Sequence, residues 1–208
     1  GNLLQHYDTA LFGFLAPFIA PLFFPKQDPW TALLLTYSIL PIGILAKPLG
    51  SIFFGYIGDN KGRLKALCCS LYIMAISSIA LAFVPVYADI GPWAPFLLLL
   101  CRFLQSFASS GECIGGAIYL LESNPQVSAN FSSSLFNAST ILGIIVASGS
   151  ISLLASFDLI ESSWRYLYLF GSLTAICGLY IRMQWEDFCP NKKRVSVFDF
   201  WKQIWFER

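Results

Sequence analysis

Apolar residues in this 208-residue chain fall into six long runs, separated by short clusters of proline, glycine and charged residues. An α-helix needs about 20 mostly apolar residues to cross a bilayer, and each run is long enough. The pattern therefore predicts an all-α, polytopic membrane protein with six transmembrane helices in residues 1–187. The predicted helices cover, approximately, residues 3–24, 30–56, 64–87, 93–121, 130–157 and 164–185.

The segments between these runs carry the residues that end helices. Lys26–Pro29, Ala88–Pro92 and Glu122–Pro125 each finish with a proline, which cannot continue a helix. Residues 188–208 combine a basic stretch with an amphipathic segment that is aromatic on one side. This part of the chain is predicted to be a cytoplasmic loop with an interfacial helix.

Composition supports the membrane class. Only 12% of the residues are charged, whereas soluble domains have about 25%. The net charge of +1 gives no indication of a nucleic-acid partner. His6 is the only histidine, and the six cysteines show no metal-ligand spacing, so neither a metal nor another cofactor is expected.

Lysine and arginine set the predicted orientation, because cytoplasmic loops carry an excess of both. With alternating helices, one side of the membrane collects a basic set, and the opposite loops hold Lys26 alone with several acids. Both chain ends are therefore predicted to be cytoplasmic, in the cell (inner) membrane. The basic set is Lys61, Arg63, Lys65, Arg182, Lys192, Lys193 and Arg194.

Ionisable residues at membrane depth usually face a cavity or a partner. Four of them stand in the predicted helices: Asp8, Lys47, Arg102 and Glu112. On the fourth helix, Arg102, Gln105, Ser109 and Glu112 form a stripe about 80° wide and roughly 15 Å long. This stripe is predicted to face the bundle interior. It either carries transport chemistry or makes internal salt bridges that only fix packing.

Lys47 and Asp8 leave similar alternatives open. Lys47 either snorkels to the cytoplasmic interface or pairs with Asp8, which is expected at a similar depth. Asp8 itself is either functional or an ordinary interfacial acid.

The stretch Gly55–Lys65 is predicted to be a short, basic, glycine-turned loop between the second and third helices. It resembles the signature loop of the major facilitator superfamily, G-x-x-x-D-x-x-G-R-x-[KR]. The matching residues are Gly55, Asp59, Gly62, Arg63 and Lys65. The resemblance implies a gating loop; the alternative is an ordinary positive-inside loop. Glu122 ends the fourth predicted helix on the same side as Arg63, so a cytoplasmic latch between these two residues is expected.

The resemblance extends over nearly the whole chain, which is similar to the N-terminal half of proline/glycine-betaine transporters in the metabolite:proton symporter branch. Departures occur at Gln5, Lys47 and Ser106, where an acid, an arginine and a glycine are usual in that family. The stretches that carry the similarity include Tyr7–Asp8, Phe12–Phe14, Lys47–Gly50, Ile90–Pro95, Gly111–Glu112, Trp164–Arg165 and Gly178–Arg182.

This resemblance implies the six-helix N-terminal bundle of a secondary active transporter, working by alternating access. The expected activity is proton-coupled symport of a small zwitterionic or carboxylate solute such as proline or betaine. The expected partners are the solute, protons, the lipid bilayer and a second six-helix half. Helices 1–3 and 4–6 are candidates for two three-helix repeats.

Within this scheme, Arg102 is the candidate for holding a solute carboxylate, Gln105 and Ser109 add hydrogen bonds, and Glu112 is the candidate proton carrier. Two other interpretations remain: a truncated or degenerate membrane protein without transport activity, and a solute sensor. A membrane enzyme is disfavoured, because the sequence has no metal cluster, nucleophile–base pair or phosphate-binding loop.

Overall fold

A computed structural model describes residues 1–123 and 128–184, and every regular element in those ranges is helical. The all-α prediction is therefore confirmed, while the predicted interfacial helix lies outside the described residues. A π-helical turn, Gly111–Gly115, joins α5 to α6, so these form one long helix. The helices are α1 (Asn2–Phe23), α2 (Pro29–Lys61), α3 (Arg63–Phe83), α4 (Tyr87–Ile90), α5 (Trp93–Ser110), α6 (Gly116–Ser123), α7 (Ala129–Ser156) and α8 (Ile160–Met183).

Five of the described helices are long and apolar enough to cross a membrane: α2, α3, the continuous α5–α6, α7 and α8. The remaining long helix, α1, has 22 residues but is not among the five. Its first half contains the polar side chains of Gln5, His6 and Asp8.

The start of α2 follows the usual capping chemistry. Pro29 begins the helix, and the carboxylate of Asp28 accepts a hydrogen bond from the Thr31 amide at 3.1 Å. Hydrogen bonds from Thr31 hold the pKa of Asp28 below its usual value.

The prediction that Gly55–Lys65 forms a loop is wrong. The helix α2 continues to Lys61 and α3 begins at Arg63, so Gly62 alone separates them. Gly62 has φ 111°, a conformation that residues with a side chain rarely adopt. Glycine and charge made this stretch resemble a loop, but a helix tolerates a glycine at a cost of about 1 kcal/mol. The ion pair between Asp59 and Arg63, 3.0 Å long, bridges the turn.

The helices pack in an interleaved order. The main partner of α1 is α7, that of α2 is α5, and α3 packs against both α8 and α5. The six long helices fall into two sets of three: α1, α2, α3 and α5–α6, α7, α8. If each helix of the first set is exchanged with its counterpart in the second, the α1–α7 pair becomes the α5–α2 pair, and the α3–α8 pair stays the same. This is the arrangement expected of two three-helix repeats.

The core is built around α1, which buries Leu11, Phe12, Leu15, Ile19 and Phe23. Small residues bring the neighbouring backbones close. A Cβ on Gly43 of α2 would overlap the Ser106 hydroxyl of α5, and one on Gly143 of α7 would overlap the Leu3 carbonyl of α1.

Pro17 leaves a gap in the hydrogen bonds of α1. Because proline has no N–H, the carbonyl four residues earlier, on Gly13, loses its helical donor. The hydroxyl of Tyr37, on α2, donates to this carbonyl at 3.1 Å. The second helix thus satisfies a backbone group that the first cannot satisfy itself.

Candidate functional site

Polar side chains from four helices meet in one layer of the apolar bundle. Each is at most 5% exposed, so none of them faces lipid. The predicted inward orientation of Arg102 and Gln105 agrees with this burial. The members of the layer are Asp8 of α1, Ser78 of α3, Arg102 and Gln105 of α5, and Tyr168 of α8.

The guanidinium of Arg102 lies at the centre of this polar layer. It donates to Gln105 Oε1 at 2.8 Å, to the Tyr168 hydroxyl at 2.9 Å and to the backbone carbonyl of Asp8 at 3.3 Å. Its carbon Cζ also lies 3.9 Å from the centre of the Phe12 ring, a cation–π contact that offsets part of the cost of burial. The buried Nε has no hydrogen-bond partner among the described residues.

The carboxylate of Asp8 is bonded on one side only. Its Oδ2 accepts a 2.6 Å hydrogen bond from Ser78, whose oxygen in turn accepts one from Gln105 Nε2 at 2.8 Å. The other oxygen, Oδ1, is buried without a partner in the described part of the chain. None of the described ion pairs includes Asp8, and a buried charge without a counter-ion is costly.

Glu112 forms a second, separate polar cluster, ten residues along the chain from Arg102 and therefore about 15 Å away along the helix. Arg182, near the end of α8, holds it with two hydrogen bonds of 2.6 and 3.0 Å. Ser70 of α3 donates a third at 2.9 Å, and Glu112 is 1% exposed. The backbone nitrogen of Gly1 lies 3.8 Å from Glu112 Oε2.

Glu112 is the second residue of the π-helical turn. The turn begins at Gly111, where a Cβ would lie 2.8 Å from Phe54 of α2 and 2.8 Å from Ser70 of α3. Such turns are rare and frequently occur at functional sites. A side chain at position 111 would push apart the three helices that meet here.

Two other predicted site residues, Ser109 and Lys47, do not join the polar layer around Arg102. The hydroxyl of Ser109 is buried but bonds to the Ser106 carbonyl of its own helix at 2.8 Å. Lys47 is exposed, and the suggested pair with Asp8 is not formed, because Asp8 instead bonds to Ser78.

Among the predicted gating residues, the structure brings Asp59 and Arg63 together as an ion pair. Lys65 is exposed and Gly55 lies within α2. The side chain of Glu122 lies outside the described part of the chain, so the latch with Arg63 stays a prediction.

Four partners of the site were not found from the sequence: Ser70, Ser78, Tyr168 and Arg182. The serines lie in an apolar run, where a hydroxyl is usually satisfied by its own helix. Arg182 was assigned only to the positive side of the membrane. The signal that could have found Arg182 was the charge of Glu112, because a buried carboxylate requires a cation nearby.

The chain is similar to known membrane transporters. Residues 1–190 match the family model described as sugar (and other) transporter. The chain is 34% identical over 191 residues to the proline/betaine transporter of Salmonella typhimurium, covering 90% of the chain and 38% of that protein. It is 31% identical over 203 residues to the glycine betaine/proline/ectoine/pipecolic acid transporter of Dickeya dadantii, covering 96% and 40%. The comparison with solved structures gives no match.

A putative proline/betaine transporter of Staphylococcus aureus is also 34% identical, over 192 residues. The chain spans 38–41% of the length of these three relatives. The resemblance to the proline/betaine branch is therefore confirmed, and the family consists of transporters rather than enzymes. The match over residues 1–190 and the long apolar helices together identify the chain as a multi-pass membrane protein of the sugar (and other) transporter family, within the major facilitator superfamily.

Proposed function

We propose that this chain forms six membrane-spanning helices of a secondary active transporter, with α1 as the sixth span. The transporter moves a small zwitterionic or carboxylate solute, such as proline or betaine, together with protons. Both ends of the chain lie on the cytoplasmic side of the cell (inner) membrane, and a second six-helix half completes the protein. Family membership and the names of the relatives support this proposal.

The observation that carries the proposal is the buried layer around Asp8 and Arg102. Polar groups inside a membrane are expensive and commonly mark solute or ion pathways. Arg102 offers a fixed positive charge for a solute carboxylate, which would take the place of the Gln105 and Tyr168 oxygens that now bind the guanidinium. Ser109, two turns after Arg102 on α5, adds a hydroxyl on the same face.

Asp8 is the better first proton carrier of the two buried carboxylates. The charge of Glu112 is already balanced by Arg182, whereas Asp8 has one hydroxyl donor and a bare oxygen. A proton on Asp8 removes a buried negative charge that makes no ion pair in the described part of the chain and that lies next to the site where the solute would bind. Binding of the solute and binding of the proton are thereby linked.

Glu112 has a different part in this scheme. Its pair with Arg182 ties α5–α6 to α8, and protonating Glu112 would leave the guanidinium without its anion. Proton transfer at this pair would therefore release contacts between two helices. We assign it to the conformational step of coupling.

The deciding experiment is uptake by the complete transporter in liposomes under an imposed pH gradient, compared with solute exchange at equal pH. Asp8→Asn should abolish accumulation and keep exchange, while Arg102→Gln should weaken solute binding itself. Glu112→Gln should lower both rates. Asp89→Asn, in the short helix α4 between α3 and α5, is the matched carboxylate control. Accumulation at the wild-type level in Asp8→Asn would reject the proton-carrying role, and binding without uptake in the wild type would favour a sensor.

The turn at Gly62 is proposed to stabilise a closed cytoplasmic face through Asp59 and Arg63. Asp59→Asn should change the balance between inward- and outward-open states without changing membrane insertion. Labelling of Lys61→Cys from the inside only, and of Asp89→Cys from the outside only, would support the orientation. Labelling of both from one side would exclude it.

A further inference from the structure

The partnerless oxygen of Asp8 faces a glycine on another helix. A Cβ built on Gly171 of α8 would lie 2.9 Å from Asp8 Oδ1. Real Cβ atoms essentially never come that close to another heavy atom. The approach of α8 to this carboxylate therefore requires the absence of a side chain at position 171.

Neither neighbour of Gly171 is free to move aside. The ring of Tyr7 would lie 3.1 Å from the same Cβ, and its hydroxyl is bonded to the Leu167 carbonyl, one turn earlier on α8, at 3.0 Å. Tyr7 is 1% exposed, and its ring packs edge-on against Phe170. Asp8 is held through its other oxygen, Oδ2, by the hydroxyl of Ser78.

The second glycine of α8 does not have these constraints. A Cβ on Gly178 would meet only Leu71, at the ordinary contact distance of 3.9 Å. A glycine in a helix interior costs about 1 kcal/mol relative to alanine, so a glycine kept there usually has a packing or functional reason. For Gly171, that reason is the approach to Asp8 and Tyr7.

We propose that Gly171 is a positioning residue for proton coupling: it brings α8 close enough to shield Asp8 Oδ1 from solvent while offering that oxygen no hydrogen-bond donor. Alanine is too large for the gap, and serine would in addition bring a hydroxyl that could bond to Oδ1. The weak C–H contacts of a glycine leave the oxygen available for a proton.

This inference rests on the proposed role of Asp8 as the proton carrier. The charged or titratable side chains that act on Asp8 in the described part of the chain are Arg102 from α5, Tyr168 from α8 and Tyr7 from α1. Ser78 from α3 is the neutral donor. Gly171 acts by fixing where the carboxylate lies among these groups.

The test is an infrared pH titration of the complete transporter, following the carboxylic C=O band that Asp8→Asn removes. Gly171→Ala should shift the midpoint of this titration by about one pH unit or more, because moving a buried carboxylate changes both its desolvation and its distance from Arg102. The midpoint of pH-driven uptake should shift with it. Gly178→Ala, on the same helix, should leave both midpoints at their wild-type values.

An unchanged midpoint in Gly171→Ala, or an equal shift in Gly178→Ala, would overturn the proposal. If Gly171→Ala does not fold, it is combined with Tyr7→Leu, which removes the ring atom nearest the new methyl group, and is compared with Tyr7→Leu alone. Normal accumulation in Asp8→Asn would reject the proposed function instead, and the infrared titration would still show whether Gly171 positions the carboxylate.

Discussion

Removing the Tyr37 hydroxyl should weaken the contact between α1 and α2 through a backbone group that Pro17 has left unsatisfied. In Tyr37→Phe the ring stays, but the Gly13 carbonyl loses its 3.1 Å donor. Pro17 cannot replace it, because proline has no N–H. In a Pro17→Ala background the new amide bonds to Gly13, so the hydroxyl becomes dispensable.

The expected size follows from what single hydrogen bonds contribute between membrane helices, about 0.6 kcal/mol on average and about 1.7 kcal/mol at most. Tyr37→Phe should therefore lower the free energy of unfolding by roughly 0.6–1.7 kcal/mol in the wild type. In the Pro17→Ala background the same change should cost about zero, because the carbonyl is satisfied along its own helix. The difference is the coupling energy between positions 17 and 37.

The assay is detergent-induced unfolding of the wild type, the two single variants and the double variant. Tyr72→Phe is the control, since Tyr72 is exposed on α3 and its hydroxyl has no hydrogen-bond partner within residues 1–123 and 128–184. Equal losses from Tyr37→Phe in both backgrounds would refute the reasoning. The contribution of Tyr37 would then come from packing rather than from the freed carbonyl.

Three further changes test the packing and the turns. Gly43→Ala should destabilise the α2–α5 contact by about 1–3 kcal/mol, because the new Cβ would overlap the Ser106 hydroxyl. Adding Ser106→Gly should restore the unfolding midpoint. If the two changes instead cause additive losses of stability, this explanation is wrong. Gly62→Ala should cost about 1–3 kcal/mol, measured by thermal unfolding, since φ is 111° there; a neutral effect would mean that the turn relaxes. The cap at Asp28 has a lowered pKa, so it stabilises α2 at neutral pH and is lost as the pH falls below the ordinary value of 3.8. The amide chemical shift of Thr31 should follow this titration and stop doing so in Asp28→Ala.

The helices were predictable because their signal is local. An apolar run of sufficient length, closed by proline or charge, defines a membrane helix without knowledge of its neighbours. The inward stripe of α5 was also local, since helical spacing alone places Arg102 and Gln105 on one face. Both residues are buried in the structure.

The partners of that stripe were not predictable, because they depend on the register between helices. Ser78 and Tyr168 meet Arg102 and Asp8 only after four helices have packed at defined heights. The end of α2 was mispredicted for a related reason: glycine and charge are local signs of a loop, but the helix continues to Lys61. The π-helical turn at Glu112 has no local signature beyond its glycines.

The interleaved packing has a consequence for how the chain is made. Asp8 is synthesised 70 residues before Ser78 and 94 residues before Arg102. At about 5–20 residues per second, the carboxylate waits roughly 5–20 seconds for the guanidinium that will lie beside it. During that interval Asp8 lacks Arg102, and until α3 is made it also lacks its hydroxyl donor Ser78. The polar layer around Asp8 is therefore completed late in synthesis, only after α5 and α8 have been added.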